Sequence, residues 1–142
     1  SRGTIHAASP DPLEPPAIRP NFLATEEDRR AMVEGMKIAR TVVAQAPMER
    51  FRGAELNPGP DCRTDADWLD FARRDGQTIY HICGTCRMGG DPQSVVDSRL
   101  RVRGVGRLRV IDASIMPNIV GGNTNAPVVM IAEKAADLIR RA

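Results

Sequence analysis

The chain has 142 residues, of which 42% are hydrophobic and 27% are charged, and its formal net charge is +2. This length suits one globular domain with its own core, and so small a charge gives no reason to expect nucleic acid as a partner. No apolar run approaches the roughly 18 residues that a membrane-spanning helix needs. The first residue is Ser1. We take it as a cut within a longer protein, whose targeting signals would lie upstream.

Five prolines between residues 10 and 20 exclude a helix there and predict extended segments, with a strand within residues 1–8. A helix is predicted after Thr25, whose hydroxyl can cap it and which three acidic residues follow. Apolar residues then recur at steps of three and four, which predicts a helix that packs on a sheet and that Pro47 ends. The predicted buried stripe is Met32, Met36, Ala39, Val43 and Ala46. Residues 50–63 contain Pro58-Gly59-Pro60 and are predicted as a surface loop.

A second helix is predicted from Thr64, with Asp67 in its first turn and Gly76 just past its end. Its buried side is predicted to be Trp68, Leu69, Phe71 and Ala72. The residues at 78–80 are Thr, Ile and Tyr, which favour strands, so this trio is expected to place His81 at a strand end.

Beyond a loop at residues 91–94, two strands are predicted at 100–103 and 108–111, joined by Gly104-Val105-Gly106. Arginines alternate along them, which is typical of a solvated strand face more than of a polyanion site. The glycine pair is not a dinucleotide fingerprint, because no third glycine and no helix follow it. A last helix is predicted over 126–141, with Pro127 in its first turn. Its apolar residues are Val128, Ile131, Ala132, Ala135, Leu138 and Ile139. The fold class is therefore α+β to α/β.

The three cysteines show no spacing of a secreted disulfide scaffold, which predicts thiols in a reducing, cytoplasmic compartment. Cys83 and Cys86 form a C-x-x-C behind His81, which alone would fit a redox dithiol or half of a zinc site. A second half is not visible, because Cys62 is a single ligand and His6 lies far upstream. We expect packed thiols and no metal.

Four motifs follow one another in the second half of the chain. They are H-x-x-G-T-x-R-M-G at 81–89, V-V-D at 95–97, L-R-V-x-D-A-S-x-M-P at 108–117 and G-N-x-x-x-P at 122–127. Their order and spacing resemble the carboxy-terminal part of the glucose-methanol-choline (GMC) family of FAD-dependent alcohol oxidoreductases. The resemblance covers essentially all 142 residues, but only the last third or less of a family member.

The resemblance implies two parts. Residues 1–79 would belong to the substrate domain, with sheet strands and two helices. Residues 80–142 would hold the loop of the catalytic histidine, then a closing strand and a terminal helix that complete a Rossmann-like FAD-binding domain. The G-x-G-x-x-G turn that holds the ADP half of FAD is absent from this sequence and is expected upstream.

The resemblance also implies two catalytic residues. His81 matches the family's catalytic histidine, and an imidazole can accept a hydroxyl proton near neutrality. Asn123 matches the position where family members carry histidine or asparagine, and it would stabilise the developing alkoxide. Considered without the motifs around them, His81 could be a packed or surface residue and Asn123 could cap the last helix. Asparagine here resembles the choline-oxidising branch, but other branches have it too.

Contacts to FAD are expected at two places. The first is the start of the last helix, which offers free N–H groups and a partial positive charge. These suit the edge of the flavin ring that becomes negative on reduction. The D-A-S segment is implied by the resemblance, although a carboxylate there could simply cap a turn. The expected cofactor-binding residues are Asp112, Ala113, Asn123, Thr124, Asn125, Pro127 and Val128.

The sequence thus predicts the catalytic part of an FAD-dependent alcohol oxidoreductase that acts on a small-molecule alcohol, with oxygen or a quinone-type carrier as electron acceptor. Its partner would be the missing amino-terminal FAD-binding part, and alone the chain is expected to bind FAD weakly and to associate with itself. Two alternatives stay open: a cyanohydrin lyase of the same fold, and a non-catalytic domain whose C-x-x-C holds a metal.

Overall fold

A computed structural model describes residues 1–141. The chain divides into two compact units, Ser1–Gln77 and Thr78–Ala142. The described elements are strands β1 (Thr4–His6) and β2 (Ala17–Arg19), helices α1 (Glu26–Val43), α2 (Asp65–Asp75) and α3 (Asn125–Arg140), and 3-10 helices at Ala46–Phe51 and Ala113–Ile115. Within residues 1–141, the helices are too short or too polar for a membrane span.

The first unit begins with the extended segments that its prolines predicted. β1 and β2 pair antiparallel, with Thr4 opposite Arg19 and His6 opposite Ala17. All six strand residues are exposed. The fold is therefore rich in helix with a small two-stranded sheet, which agrees with the α+β class.

Helix α1 begins where predicted, because the Thr25 hydroxyl accepts a hydrogen bond of 3.3 Å from the Asp28 N–H. It ends at Val43 and not at Pro47, which lies instead in the first turn of the following 3-10 helix. A proline is compatible with that position because its missing N–H is not needed in a first turn.

The predicted buried stripe of α1 is wrong. Met32 and Val43 are each 46% exposed, and of the stripe only Met36 is partly buried. Val33 is buried instead, because α1 packs on α2 and not on a sheet. One short neighbouring helix covers a narrower and differently placed face than the sheet that we expected.

Helix α2 confirms its predicted signals. Thr64 accepts a hydrogen bond from the Asp67 N–H at 3.2 Å, while the Asp67 carboxylate accepts one from the Thr64 N–H at 2.7 Å. These bonds form a capping box and lower the pKa of Asp67. Trp68 and Ala72 are buried, and Gly76 follows the last turn as predicted.

One arginine holds the loop before α2. The Arg40 guanidinium lies 4.1 Å from the ring centroid of Trp68 and donates to the carbonyls of Gly59 and Cys62 at 3.0 and 2.7 Å. It also forms an ion pair of 2.7 Å with Glu55. Arg40 thus links the loop within residues 50–63 to α1, and the Arg52 side chain adds a hydrogen bond of 3.3 Å to the Val43 carbonyl.

In the second unit, the strand predicted at 78–80 is wrong. Tyr80 has a φ of 63° and is 86% exposed, so His81 does not follow a strand. The segments predicted as strands at 100–103 and 108–111 form an antiparallel bridge between Arg101 and Arg109 but do not pair as longer strands. Two hydrogen bonds flank the bridge, from the Val102 N–H to the Leu108 carbonyl at 2.9 Å and from the Val110 N–H to the Leu100 carbonyl at 3.2 Å. Left-handed backbone at Leu100 on one side of the bridge, and at Gly104 and Arg107 on the other, interrupts the extended conformation that longer pairing needs.

The core of the second unit combines the motif segments with α3. Its buried residues are Val96, Leu100, Ile115, Met116, Ile131 and Ala135. Helix α3 begins one residue before the predicted start and has Pro127 in its first turn. Ile131 and Ala135 lie in the core as predicted, whereas Ala132 and Ile139 are exposed.

Candidate functional site

The glycine-rich turn after His81 lies against the D-A-S-I-M segment. The N–H groups of Cys86 and Met88 donate to the carbonyls of Ser114 and Ile115 at 2.9 and 2.8 Å. Gly84 has a φ of +91°, and a Cβ on it would lie 3.2 Å from the Met116 carbonyl oxygen. Glycine is needed there, because the backbone is left-handed and a neighbouring segment approaches closely.

Asp112 caps a turn. Its exposed carboxylate accepts a hydrogen bond of 2.8 Å from the Ser114 N–H at the start of the 3-10 helix Ala113–Ile115. Ala113 is partly buried and packs against the core. The capping alternative therefore describes what Asp112 does within this chain, and cofactor contacts of these two residues stay a prediction.

A buried serine fastens the far end of the glycine-rich turn. Ser94 is 3% exposed, and its hydroxyl lies 2.8 Å from the Gly89 carbonyl oxygen and 2.6 Å from that of Asp91, either of which can accept its one hydrogen. Arg103 donates to the Ser94 hydroxyl at 3.1 Å and to the Gly89 carbonyl at 2.9 Å. Arg87 holds Asp91 with two parallel bonds of 2.8 Å, which lower the pKa of that carboxyl far below its usual range.

These contacts of Ser94 and Arg103, and the ion pair of Arg87, were not predicted from the sequence. The opposite charges of Arg87 and Asp91, four residues apart, could have predicted the ion pair between them. No local pattern connects Ser94 with Arg103 across the bridge between Val96 and Val102.

The structure brings His81 to the start of α3. Its Nδ1 lies 2.9 Å from the hydroxyl oxygen of Thr124, across 43 positions of sequence. Thr124 is 8% exposed and His81 is partly buried. Two predicted site residues are therefore in direct contact, although the hydrogen bond between them was not predicted.

Asn123 is exposed and directly precedes Thr124. It does not cap the last helix, since Thr124 occupies the N-cap position. The sequence Asn-Thr-Asn offers a capping side chain at each position, so it could not show which residue begins the helix. The catalytic roles of His81 and Asn123 stay predictions.

The start of α3 is open. Asn125 and Ala126 are exposed, and the Thr124 side chain makes no capping bond to the first turn. The helix therefore presents N–H groups and the positive end of its dipole at the surface, which suits the anionic edge of a reduced flavin ring. Pro127 and Val128 are partly buried, and Val128 packs against the core. Proline has no N–H, and the Val128 N–H donates to the Thr124 carbonyl at 3.0 Å, so contacts of these two residues with a ring edge stay a prediction.

Cys62 and Cys83 lie in packed surroundings, and Cys86 is partly buried. Cys62 is 8% exposed, and burial raises the pKa of its thiol. Cys83 packs against the core of the second unit. Over residues 1–141, no three side chains of His, Cys, Asp or Glu group as metal ligands would.

Comparison with known proteins matches nearly the whole chain to one family. A family model described as "GMC oxidoreductase" matches residues 1–132. The oxygen-dependent choline dehydrogenase of Staphylococcus aureus (strain JH9) is 48% identical over 143 aligned residues, which cover 99% of this chain and 25% of that protein.

Solved structures agree with this match. Pyridoxine 4-oxidase from Mesorbium loti superimposes with a TM-score of 0.91 at 37% identity, over 99% of this chain and 27% of that one. An FAD-dependent oxidoreductase from Chaetomium thermophilum gives a TM-score of 0.88 at 28% identity, over 99% of this chain and 25% of that one. The chain thus spans about a quarter of the length of the relatives that it matches.

Proposed function

The chain belongs to the GMC oxidoreductase family, and we propose that it is the carboxy-terminal, catalytic part of an FAD-dependent enzyme that oxidises the CH–OH group of a small-molecule alcohol. One observation carries the proposal: His81 is bound at 2.9 Å to Thr124, beside Asn123 and at the open start of α3. A candidate base, a candidate alkoxide partner and an electropositive helix end therefore occur together.

His81 is the proposed base. Its Nδ1 faces the Thr124 hydroxyl, which leaves Nε2 to take the proton of the alcohol O–H group. The histidine is partly buried, so part of it stays accessible to a substrate. As the proton leaves, charge develops on the alcohol oxygen, and the exposed amide of Asn123 can donate a hydrogen bond to it.

FAD is the implied cofactor, and when bound it supplies the acceptor for the hydride that leaves the alcohol carbon. The residues proposed to hold its ring edge are Asn123, Thr124, Asn125, Pro127 and Val128, mainly through backbone atoms. Asp112 and Ala113, in the D-A-S segment, are proposed as further contacts. The open, uncapped start of α3 fits this role.

The remaining parts of the enzyme are proposed to lie elsewhere in a longer polypeptide. Residues 1–79 would be a portion of its substrate domain, and residues 80–142 would complete an FAD-binding domain whose glycine-rich turn binds the ADP half. Apolar side chains that this chain leaves exposed, such as Met130 at 59%, would then meet that amino-terminal part. Similarity to an oxygen-dependent choline dehydrogenase makes choline and oxygen the first substrate and acceptor to test, with a quinone-type carrier as the other acceptor.

The test is anaerobic stopped-flow reduction of the flavin by alcohol in the full-length enzyme. His81→Ala is expected to slow the reduction by a factor of about 10²–10⁴, the usual contribution of a positioned base. The matched control is His6→Ala, because His6 is the other histidine and lies exposed on β1. Equal rates in both variants would overturn the assignment, and absence of bleaching by any alcohol would favour lyase chemistry.

A further inference from the structure

Three threonines stand at helix N-caps in this chain, and one of them behaves differently. Thr25 and Thr64 have extended backbones, and each accepts a bond from the N–H three residues on. Thr124 has φ −80° and ψ −11°, and its hydroxyl makes no capping bond. It lies instead 2.9 Å from Nδ1 of His81. The Thr124 hydroxyl therefore contacts the candidate base and does not cap the helix.

The direction of this hydrogen bond decides what His81 can do. A hydroxyl can donate or accept, and a neutral imidazole carries its hydrogen on one nitrogen only. If Thr124 donated to Nδ1, the hydrogen would sit on Nε2, which could not take a proton. If Thr124 accepts from Nδ1–H, the lone pair of Nε2 is free. The imidazolium formed afterwards keeps the same bond, because Nδ1 carries hydrogen in both states.

The surroundings favour a fixed geometry. Thr124 is 8% exposed, so little water competes for the bond. Threonine is stiff at χ1, and its backbone is held by the Val128 N–H, which donates to the Thr124 carbonyl at 3.0 Å. The histidine ring therefore meets a hydroxyl whose position α3 determines.

We propose that Thr124 is a positioning residue whose hydroxyl accepts a hydrogen bond from Nδ1–H of His81 and thereby selects the tautomer with a free Nε2. The catalytic consequence rests on the proposed function. The tautomer itself is a property of this chain and can be measured without flavin or substrate.

The first experiment is NMR of the 142-residue chain with ¹⁵N-labelled histidine, at a pH where the rings are neutral. The chain has two histidines, so His6 on the exposed strand β1 serves as an internal reference. We expect the Nδ1–H form to dominate for His81 alone. Thr124→Val, which keeps the shape but lacks the hydroxyl, should shift His81 toward the mixture of His6, and Thr124→Ser should restore the wild-type pattern. A dominant Nε2–H form of His81 in the wild-type chain would overturn the proposal without need of any variant.

The second experiment measures flavin reduction in the full-length enzyme. Thr124→Val is expected to lower the rate by about 10- to 100-fold, as misplacement of a reacting group does, and Thr124→Ser should recover most of it. The control is Thr64→Val, which removes an N-cap hydroxyl of α2 that does not contact His81. A wild-type rate in Thr124→Val would refute the positioning role. Slow reduction in that variant with normal reduction in His81→Ala would instead refute His81 as the base.

Discussion

Two adjacent valines in the V-V-D motif allow a sharp test of what supports the candidate site. Val96 is fully buried at 0% exposure, whereas Val95 is 37% exposed. Both take part in backbone hydrogen bonds that substitution by alanine leaves in place. The change from valine to alanine is therefore chemically identical at the two positions and differs only in burial.

The expected loss at Val96 follows from its packing. Removing two buried methyl groups at about 0.8 kcal/mol each costs about 1.6 kcal/mol of transfer free energy. A residual cavity raises the total to about 2–3 kcal/mol, because a close-packed core relaxes only in part. Val95→Ala should lower the free energy of unfolding by less than about 1 kcal/mol, since its side chain is partly in water already.

The assay is hydrogen–deuterium exchange of the slowest amides of α3, which contributes Ile131 and Ala135 to the same core. Their exchange reports the free energy of opening of the second unit. A loss of 2–3 kcal/mol should speed it about 30- to 150-fold in Val96→Ala, since 1.4 kcal/mol is tenfold. Similar exchange rates in the Val95 and Val96 variants would refute the assignment of this core. They would also mean that this core does not support the glycine-rich turn after His81.

Ser94, Asp97 and the FAD affinity of the chain provide three further tests. Ser94→Ala should lower stability by about 1–3 kcal/mol in urea unfolding, because Arg103 loses a buried acceptor, while Ser98→Ala at an exposed position should change it by less than about 0.5 kcal/mol. The side chain of Arg101 and nearby N–H groups lower the pKa of Asp97 to about 2, so its contribution is present above the unfolded value of about 4 and is lost as pH falls toward 2. Asp97→Asn should therefore flatten the acid-unfolding curve by circular dichroism between those values, and an unchanged curve would contradict the prediction. The 142-residue chain should bind FAD weakly or not at all, which saturable fluorescence quenching at sub-micromolar FAD would disprove.

Local signals predicted the helices well. Thr25, Thr64 and Gly76 mark helix boundaries through hydrogen bonds that span three or four residues, so the sequence window contains all that determines them. The motif order likewise predicted that the segments after His81 and before α3 would lie together. The hydrogen bond between His81 and Thr124 joins those segments.

Non-local pairing was predicted poorly. Residues 78–80 favour strands by composition, but a strand forms only against a partner, and Tyr80 adopts a left-handed backbone instead. The contact of His81 with Thr124 was missed for the same reason. A threonine before a helix predicts a cap, and only the fold can show that its hydroxyl is directed to a side chain 43 residues away.

The misplaced apolar faces share a physical explanation. The stripe predicted on α1 includes Met32 and Val43, and the one on α3 includes Ile139, yet all three are nearly half exposed. Periodicity shows that a face is apolar without showing which surface covers it. A chain that spans about a quarter of its relatives can present faces whose neighbours belong to the rest of the polypeptide. Under the proposed function, the residues where sequence pattern and burial disagree are therefore the places where α1 and α3 would pack in the full-length enzyme.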